Sequence, residues 1–235
     1  MSAITPDTTL ADIITNHPDL ARELERRDLD YCCGGRSTLA AACGELGLDP
    51  VATATELSAV TTAAPEPWAD LGAAELVDHV VSTHHAYLHE EMPRLAFLAD
   101  KVATVHGANH PELAEVRDTF AEIRAELDPH LAKEEQVLFP AIKQLARDPQ
   151  KSSAGGSLES PISVMMLEHD AAGELLSRLR SLTGGYTTPA DGCASYHALY
   201  DGLAQFESDT HSHIHKENNR LFPMVVEMEQ DLVSS

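Results

Sequence analysis

Two segments of this 235-residue chain are near-copies of each other. Residues 130–140 and residues 213–223 both read H-x-x-K-E-x-x-x-L-F-P, and each offers a His and a Glu four positions apart. On a helix that spacing stacks the two side chains on one face. A neutral imidazole beside a carboxylate is half of a metal site. Two such halves in one chain predict a site for two metals.

Apolar periodicity supports the helices this requires. Four long helical patterns lie near 71–105, 111–147, 161–183 and 189–230, broken by Pro, Gly and Ser clusters at 106–111, 148–161 and 184–189. The first carries an apolar stripe of Val77, Val81, His85, Leu88, Met92, Leu95 and Val102. The second runs Val116, Phe120, Ile123, Leu127, His130, Glu134, Leu138. The third runs Ile162, Met165, His169, Leu176, Leu179, and the fourth Leu199, Leu203, Phe206, Thr210, His213, Glu217, Leu221. Each stripe is interrupted by a His, and two of them also by a Glu. The repeat extends beyond the motif. His130 and Glu134 map onto His213 and Glu217 at an offset of 83, and His85 maps onto His169 at 84. Two related hairpins about a pseudo-twofold axis would bring His85, His130, Glu134, His169, His213 and Glu217 together.

The expected fold is therefore all-α: an up-down-up-down four-helix bundle over 71–230. Residues 1–62 form a small helical N-terminal domain with short helices near 9–14, 19–27, 38–46 and 50–60, the third capped by Ser37. Residues 63–70 read as a linker. An aromatic content of 5% beside 43% hydrophobic residues suits helices better than a β-sandwich.

Two carboxylates on core stripes need positive charge, and no Lys or Arg shares their level on those stripes. Metal ions would supply it. Four imidazoles and two carboxylates suit iron better than calcium or magnesium, with zinc and manganese left as alternatives by residue type. Bridging by both carboxylates leaves room for an oxo or hydroxo bridge and an exchangeable ligand. His79, His84, His89, His211 and His215 lie off the stripes and read as outer or surface residues. His17, His106, His110 and His197 carry no signal. Lys133 and Lys216 read as solvent-facing partners of nearby acids. Pro140 and Pro223 predict a kink or restart in both ligand helices.

A second signal is Tyr31-Cys32-Cys33-Gly34-Gly35. Cys32 and Cys33 lie shortly before a helix start and close to Arg36, which predicts lowered thiol pKa values. Two readings stay open: an accessible redox pair, or two small residues buried in a tight turn. Cys43 and Cys193 read as packing residues. Four cysteines do not make a disulfide framework here.

A formal charge of −22, from 38 acidic and 16 basic residues, argues against nucleic acid and anionic membrane surfaces as partners. Residues 1–20 lack a secretion-signal pattern, and no apolar run is long enough to span a bilayer, so a cytoplasmic location is expected.

With these residues in place, 71–230 resembles the hemerythrin-like domain. Residues 5–60 resemble the N-terminal domain of the repair of iron centres family, the YtfE/ScdA/DnrN-like iron-sulfur cluster repair proteins. The resemblance implies a non-haem di-iron protein that restores iron-sulfur clusters damaged by nitrosative or oxidative stress. It implies damaged iron-sulfur proteins and small gases such as nitric oxide or oxygen as partners. The six stripe residues would be the ligands, Glu134 and Glu217 the bridging carboxylates, and Cys32 and Cys33 the functional thiols. The chain departs from oxygen-carrying hemerythrins at Gly173 and Asn218, where those proteins place a His and an Asp. A less saturated centre suits an iron donor or a nitric oxide-handling centre better than an oxygen store. Nitric oxide reduction and gas sensing are the competing functions, and both a monomer and a homodimer fit. A ferritin-like oxidase fits less well, since such bundles use E-x-x-H and more carboxylates.

Overall fold

The computed structural model describes residues 4–61, 67–148 and 157–233. Part of the expected linker (63–66) and most of the long Ser/Gly break (149–156) lie outside them. Among the described residues the protein is all-α. Four short helices come first: α1 (Leu10–Asn16), α2 (Ala21–Glu25), α3 (Leu39–Leu46) and α4 (Pro50–Val60). Four long ones follow: α5 (73–106), α6 (112–147), α7 (Glu159–Leu182) and α8 (194–233). By internal contacts the chain forms two compact units, one of Met1–Val77 with His211–Ser235 and one of Asp78–Thr210.

In the unit of residues 78–210, parts of all four long helices surround one core. Leu88, Met92, Leu95 and Val102 of α5 join Val116, Phe120, Ile123 and Leu127 of α6, Leu176 and Leu179 of α7, and Leu199, Leu203 and Phe206 of α8. These are the stripe positions. Each such side chain contributes about 1.5–3 kcal/mol on burial. The Phe120 and Phe206 rings meet edge to face at 5.3 Å.

The other unit is built on local capping. Thr9 accepts the Asp12 amide hydrogen at the start of α1, and Asp49 those of Val51 and Ala52 at the start of α4, where Pro50 takes the first helical position. Helix α3 starts one residue later than expected. Thr38, not Ser37, is its cap, because the Ser37 backbone is engaged with α1: its carbonyl accepts from Leu10 N–H at 3.0 Å. Leu10, Ile13, Leu20, Leu24, Leu39, Cys43 and Leu57 pack with Ile214 of α8 into a second core.

Three long helices contain a π-helical turn: Val81–His85 in α5, Glu134–Leu138 in α6 and Glu217–Leu221 in α8. The kinks expected at Pro140 and Pro223 take this form. The ring of Pro140 sits at the start of the helix that resumes after the turn, where a missing N–H costs little. Three of the six stripe donors (His85, Glu134 and Glu217) fall inside these turns, and such bulges concentrate at functional sites. Among the described residues no helix is long and apolar enough to cross a membrane.

Candidate metal centre

The unit of residues 78–210 brings together four of the predicted donors. His85, His130, Glu134 and His169 are all buried, with Glu134 fully so. His85 Nε2 and His130 Nε2 each lie 3.4 Å from Glu134 Oε2. His130 Nε2 and His169 Nε2 lie 3.1 Å apart, their rings tilted at a centroid distance of 4.8 Å.

The outward nitrogens explain why these imidazoles face inward. His85 Nδ1 donates to Glu135 Oε1 at 2.9 Å, and His130 Nδ1 donates to Glu168 Oε2 at 2.8 Å. An ionised carboxylate only accepts, so in each ring the proton sits on Nδ1 and the lone pair on Nε2. An outer carboxylate that fixes tautomer and ring angle is the usual support of a metal-binding imidazole. His89 Nε2 also donates to Glu135, at 3.0 Å, and Lys133 pairs with Glu168. Partial burial raises the pKa of both outer carboxyls. Hydrogen bonds from His89 and His85 outweigh it at Glu135, and those from Lys133 and His130 at Glu168, so both are held below the usual range. The ring of His85 stacks on Phe139 at 5.4 Å, so the L-F-P segment also orients a donor.

The donor spacing fits a metal. Two atoms bound to one ion at about 2.1 Å are separated by about 3.0 Å at a right angle and about 3.4 Å at a tetrahedral one. The Nε2–Oε2 and Nε2–Nε2 distances of 3.4 and 3.1 Å fall in that span. A carboxylate buried this completely is stable as an anion only beside compensating charge.

The other unit carries the second copy of the motif. His213 Nε2 lies 3.0 Å from Glu217 Oε1, and both side chains are buried. Here one surrounding residue differs from expectation. Lys216, read as solvent-facing, is buried. It donates to Ser212 Oγ at 3.0 Å and lies 5.2 Å over the Trp68 ring. His215 is buried as well. It lies edge-on to Trp68 and Tyr31, its Nε2 is 3.2 Å from Thr15 Oγ1, and its Nδ1 is 3.3 Å from the Tyr31 carbonyl. Burial pushes its pKa down to about 4, so the ring is neutral near pH 7. His211 Nδ1 meets Glu25 at 3.2 Å. In the bundle unit His84, also off the stripe, is buried against Asp209 at 2.9 Å.

Cys32 and Cys33 sit on a turn held by Asp30. One Asp30 oxygen accepts the amide hydrogens of Cys32 and Cys33 at 3.0 and 2.9 Å, and the other accepts that of Gly34 at 2.9 Å. Asn219 Nδ2 donates to the Cys32 carbonyl at 2.9 Å, and Asn218 Nδ2 approaches it at 3.4 Å. The dithiol turn is thus tied to the two residues after Glu217. Cys32 is buried and Cys33 half-buried. The lowered pKa expected at Cys32 is not found. Its hydrogen bond to Cys33, its burial and the neighbouring Asp30 charge push it well above the usual thiol value.

Sequence reasoning missed Glu135 and Glu168, which look like surface acids. The signal available was their position, each immediately beside a predicted ligand. It also misplaced Cys193, which is exposed just ahead of the first turn of α8. There His106 Nε2 lies 3.2 Å from its sulfur.

Comparison with known proteins adds two domain matches. Residues 76–225 match the hemerythrin HHE cation binding domain, and residues 6–61 match the ScdA N-terminal domain, described as a domain of unknown function (DUF542). The chain is 36% identical over 219 residues to the iron-sulfur cluster repair protein YtfE of Escherichia coli O157:H7, covering 92% of this chain and 96% of that protein. It is 37% identical over 221 residues to a probable iron-sulfur cluster repair protein of Haemophilus influenzae, with coverage of 92% and 96%. To the YtfE of Yersinia pseudotuberculosis it is 36% identical over 208 residues, covering 88% and 90%.

Proposed function

The chain belongs to the YtfE-type iron-sulfur cluster repair proteins, and on that premise we propose that it repairs damaged iron-sulfur clusters by supplying iron from a non-haem di-iron centre. The observation that carries the reading is the paired orientation of His85 and His130. Both rings spend their Nδ1 protons on outer carboxylates and turn their lone pairs toward one fully buried Glu134.

In this reading His85, His130, Glu134 and His169 form one part of the centre. His213 and Glu217, the second copy of the motif, complete it. Glu134 and Glu217 would be the carboxylates that hold the two irons alongside the four imidazoles, and an oxo or hydroxo group would be a further ligand. The functional modules are the cysteine-bearing domain 1–62, the linker 63–70 and the bundle 71–230. Iron is both resident and cargo, and the clients are cytoplasmic iron-sulfur proteins injured by nitrosative or oxidative stress. Six protein donors across two ions leave open positions, which favours ligand exchange and release of Fe(II). Cys32 and Cys33 assist reduction or transfer.

The test is to mix the reduced, iron-loaded protein with an apo or nitrosylated cluster protein. Cluster activity should recover faster than with the same amount of free Fe(II). Equal rates would end the iron-supply reading.

A further inference from the structure

We infer that Asp30, Cys32 and Cys33 form a second, open metal site for a thiophilic divalent cation, separate from the His/Glu centre. The three ligand atoms lie within 4.8 Å of one another. Cys32 Sγ is 3.8 Å from Cys33 Sγ and 3.1 Å from Asp30 Oδ1. Two sulfurs bound to one tetrahedral ion at about 2.3 Å are separated by about 3.8 Å. The pair is therefore already set at the edge of a coordination tetrahedron. A disulfide would need the sulfurs at about 2.0 Å, a long closure for adjacent residues.

The cradle is built before any ion arrives. Three backbone N–H groups aim the Asp30 carboxylate at the turn, and Asn219 holds the Cys32 carbonyl from the other side. At Gly35 a Cβ would meet Asn219 Oδ1 and the Tyr31 carbonyl oxygen at 2.5 Å, so the turn and the Asn219 side chain pack without slack. The electrostatics agree with the geometry. The Cys32 thiol lies within reach of both the Cys33 sulfur and the Asp30 carboxylate. A divalent cation would bind the two sulfurs as thiolates. Each thiol releases its proton to solvent as its sulfur–metal bond forms. Exposed Asp30 and half-buried Cys33 leave a side open for a fourth ligand, as an exchange site requires. This site stands whether or not the chain supplies iron.

The probe is Co(II), added to the reduced protein with its His/Glu centre filled by iron. A Cys193→Ser background removes the exposed thiol beside His106. One equivalent of cobalt should give a thiolate-to-cobalt charge-transfer band in the near ultraviolet, with tetrahedral bands in the visible. Cys32→Ser and Cys33→Ser should each remove about half of the charge-transfer band, since each deletes one of the two thiolates. Asp30→Asn should keep the band and weaken cobalt binding about tenfold. Native mass spectrometry of the background protein should show one cobalt beyond the iron complement, displaced by zinc. Absence of that cobalt, or a band unchanged by Cys32→Ser in a protein that still shows full helical circular dichroism, would overturn the assignment.

Discussion

His130 donates its Nδ1–H to Glu168 Oε2 at 2.8 Å, and that single contact decides which nitrogen of the ring faces the buried Glu134. Lys133 holds Glu168 in turn. The polarity of the centre is thus set by groups that need never touch a metal.

Glu168→Gln should therefore weaken metal binding about 10–100-fold without removing a ligand. An amide can present its NH2 group to Nδ1, which favours the wrong tautomer. Competition with a chelator of known affinity measures the loss, and circular dichroism should show an intact bundle. Glu135→Gln should act in the same direction through His85.

Alanine at both Glu134 and Glu217 should leave almost no iron on the protein after desalting. Each removes a fully buried carboxylate, which in the proposed centre offsets the charge of the ions. Iron per chain by elemental analysis is the readout. Undiminished loading would sink the di-iron proposal.

Gly35→Ala should destabilise the protein by about 1–3 kcal/mol, because the added carbon meets the Tyr31 carbonyl oxygen and the Asn219 side chain. For a chain of this length each kcal/mol lowers the melting temperature by about 2–4 °C. Calorimetry of the metal-free protein separates this packing effect from any loss of ligand.

Alkylation of Cys193 by iodoacetamide should rise with pH through a midpoint near 7, well below the usual thiol value. The His106 hydrogen bond is the main cause, with backbone N–H groups at the start of α8 adding to it. His106→Gln should move that midpoint up. Peptide mass spectrometry after timed alkylation reads the rate at this one thiol.

The helices and their buried faces were legible because burial follows a short-range rule. Leu88, Met92, Leu95 and Val102 lie three, four or seven residues apart, and that spacing is visible without any partner. The two motif copies were legible because they are nearly identical. What escaped depends on distant chain. Lys216 is buried because Trp68 covers it from 148 positions earlier, and His215 because Thr15 and Tyr31 meet it. Glu135 and Glu168 do not stand out in the sequence, because only helix packing places them behind His85 and His130. The α3 cap moved by one residue because an α1 amide claims the Ser37 carbonyl. The raised pKa at Cys32 comes from its hydrogen bond to Cys33, its burial and the Asp30 charge, contacts that the nearness of a helix start and Arg36 in sequence does not reveal.

Each π-helical turn replaces i to i+4 bonding with wider i to i+5 bonding. Amide hydrogens in Val81–His85, Glu134–Leu138 and Glu217–Leu221 should exchange with deuterium faster than those one turn away on the same helices. Breathing at those three places would let the carboxylates and His85 swing by small amounts while the leucine-rich segments on either side stay locked. In the proposed iron-supply role, helices that loosen at their donor-bearing turns would let an ion go while the bundle stays folded.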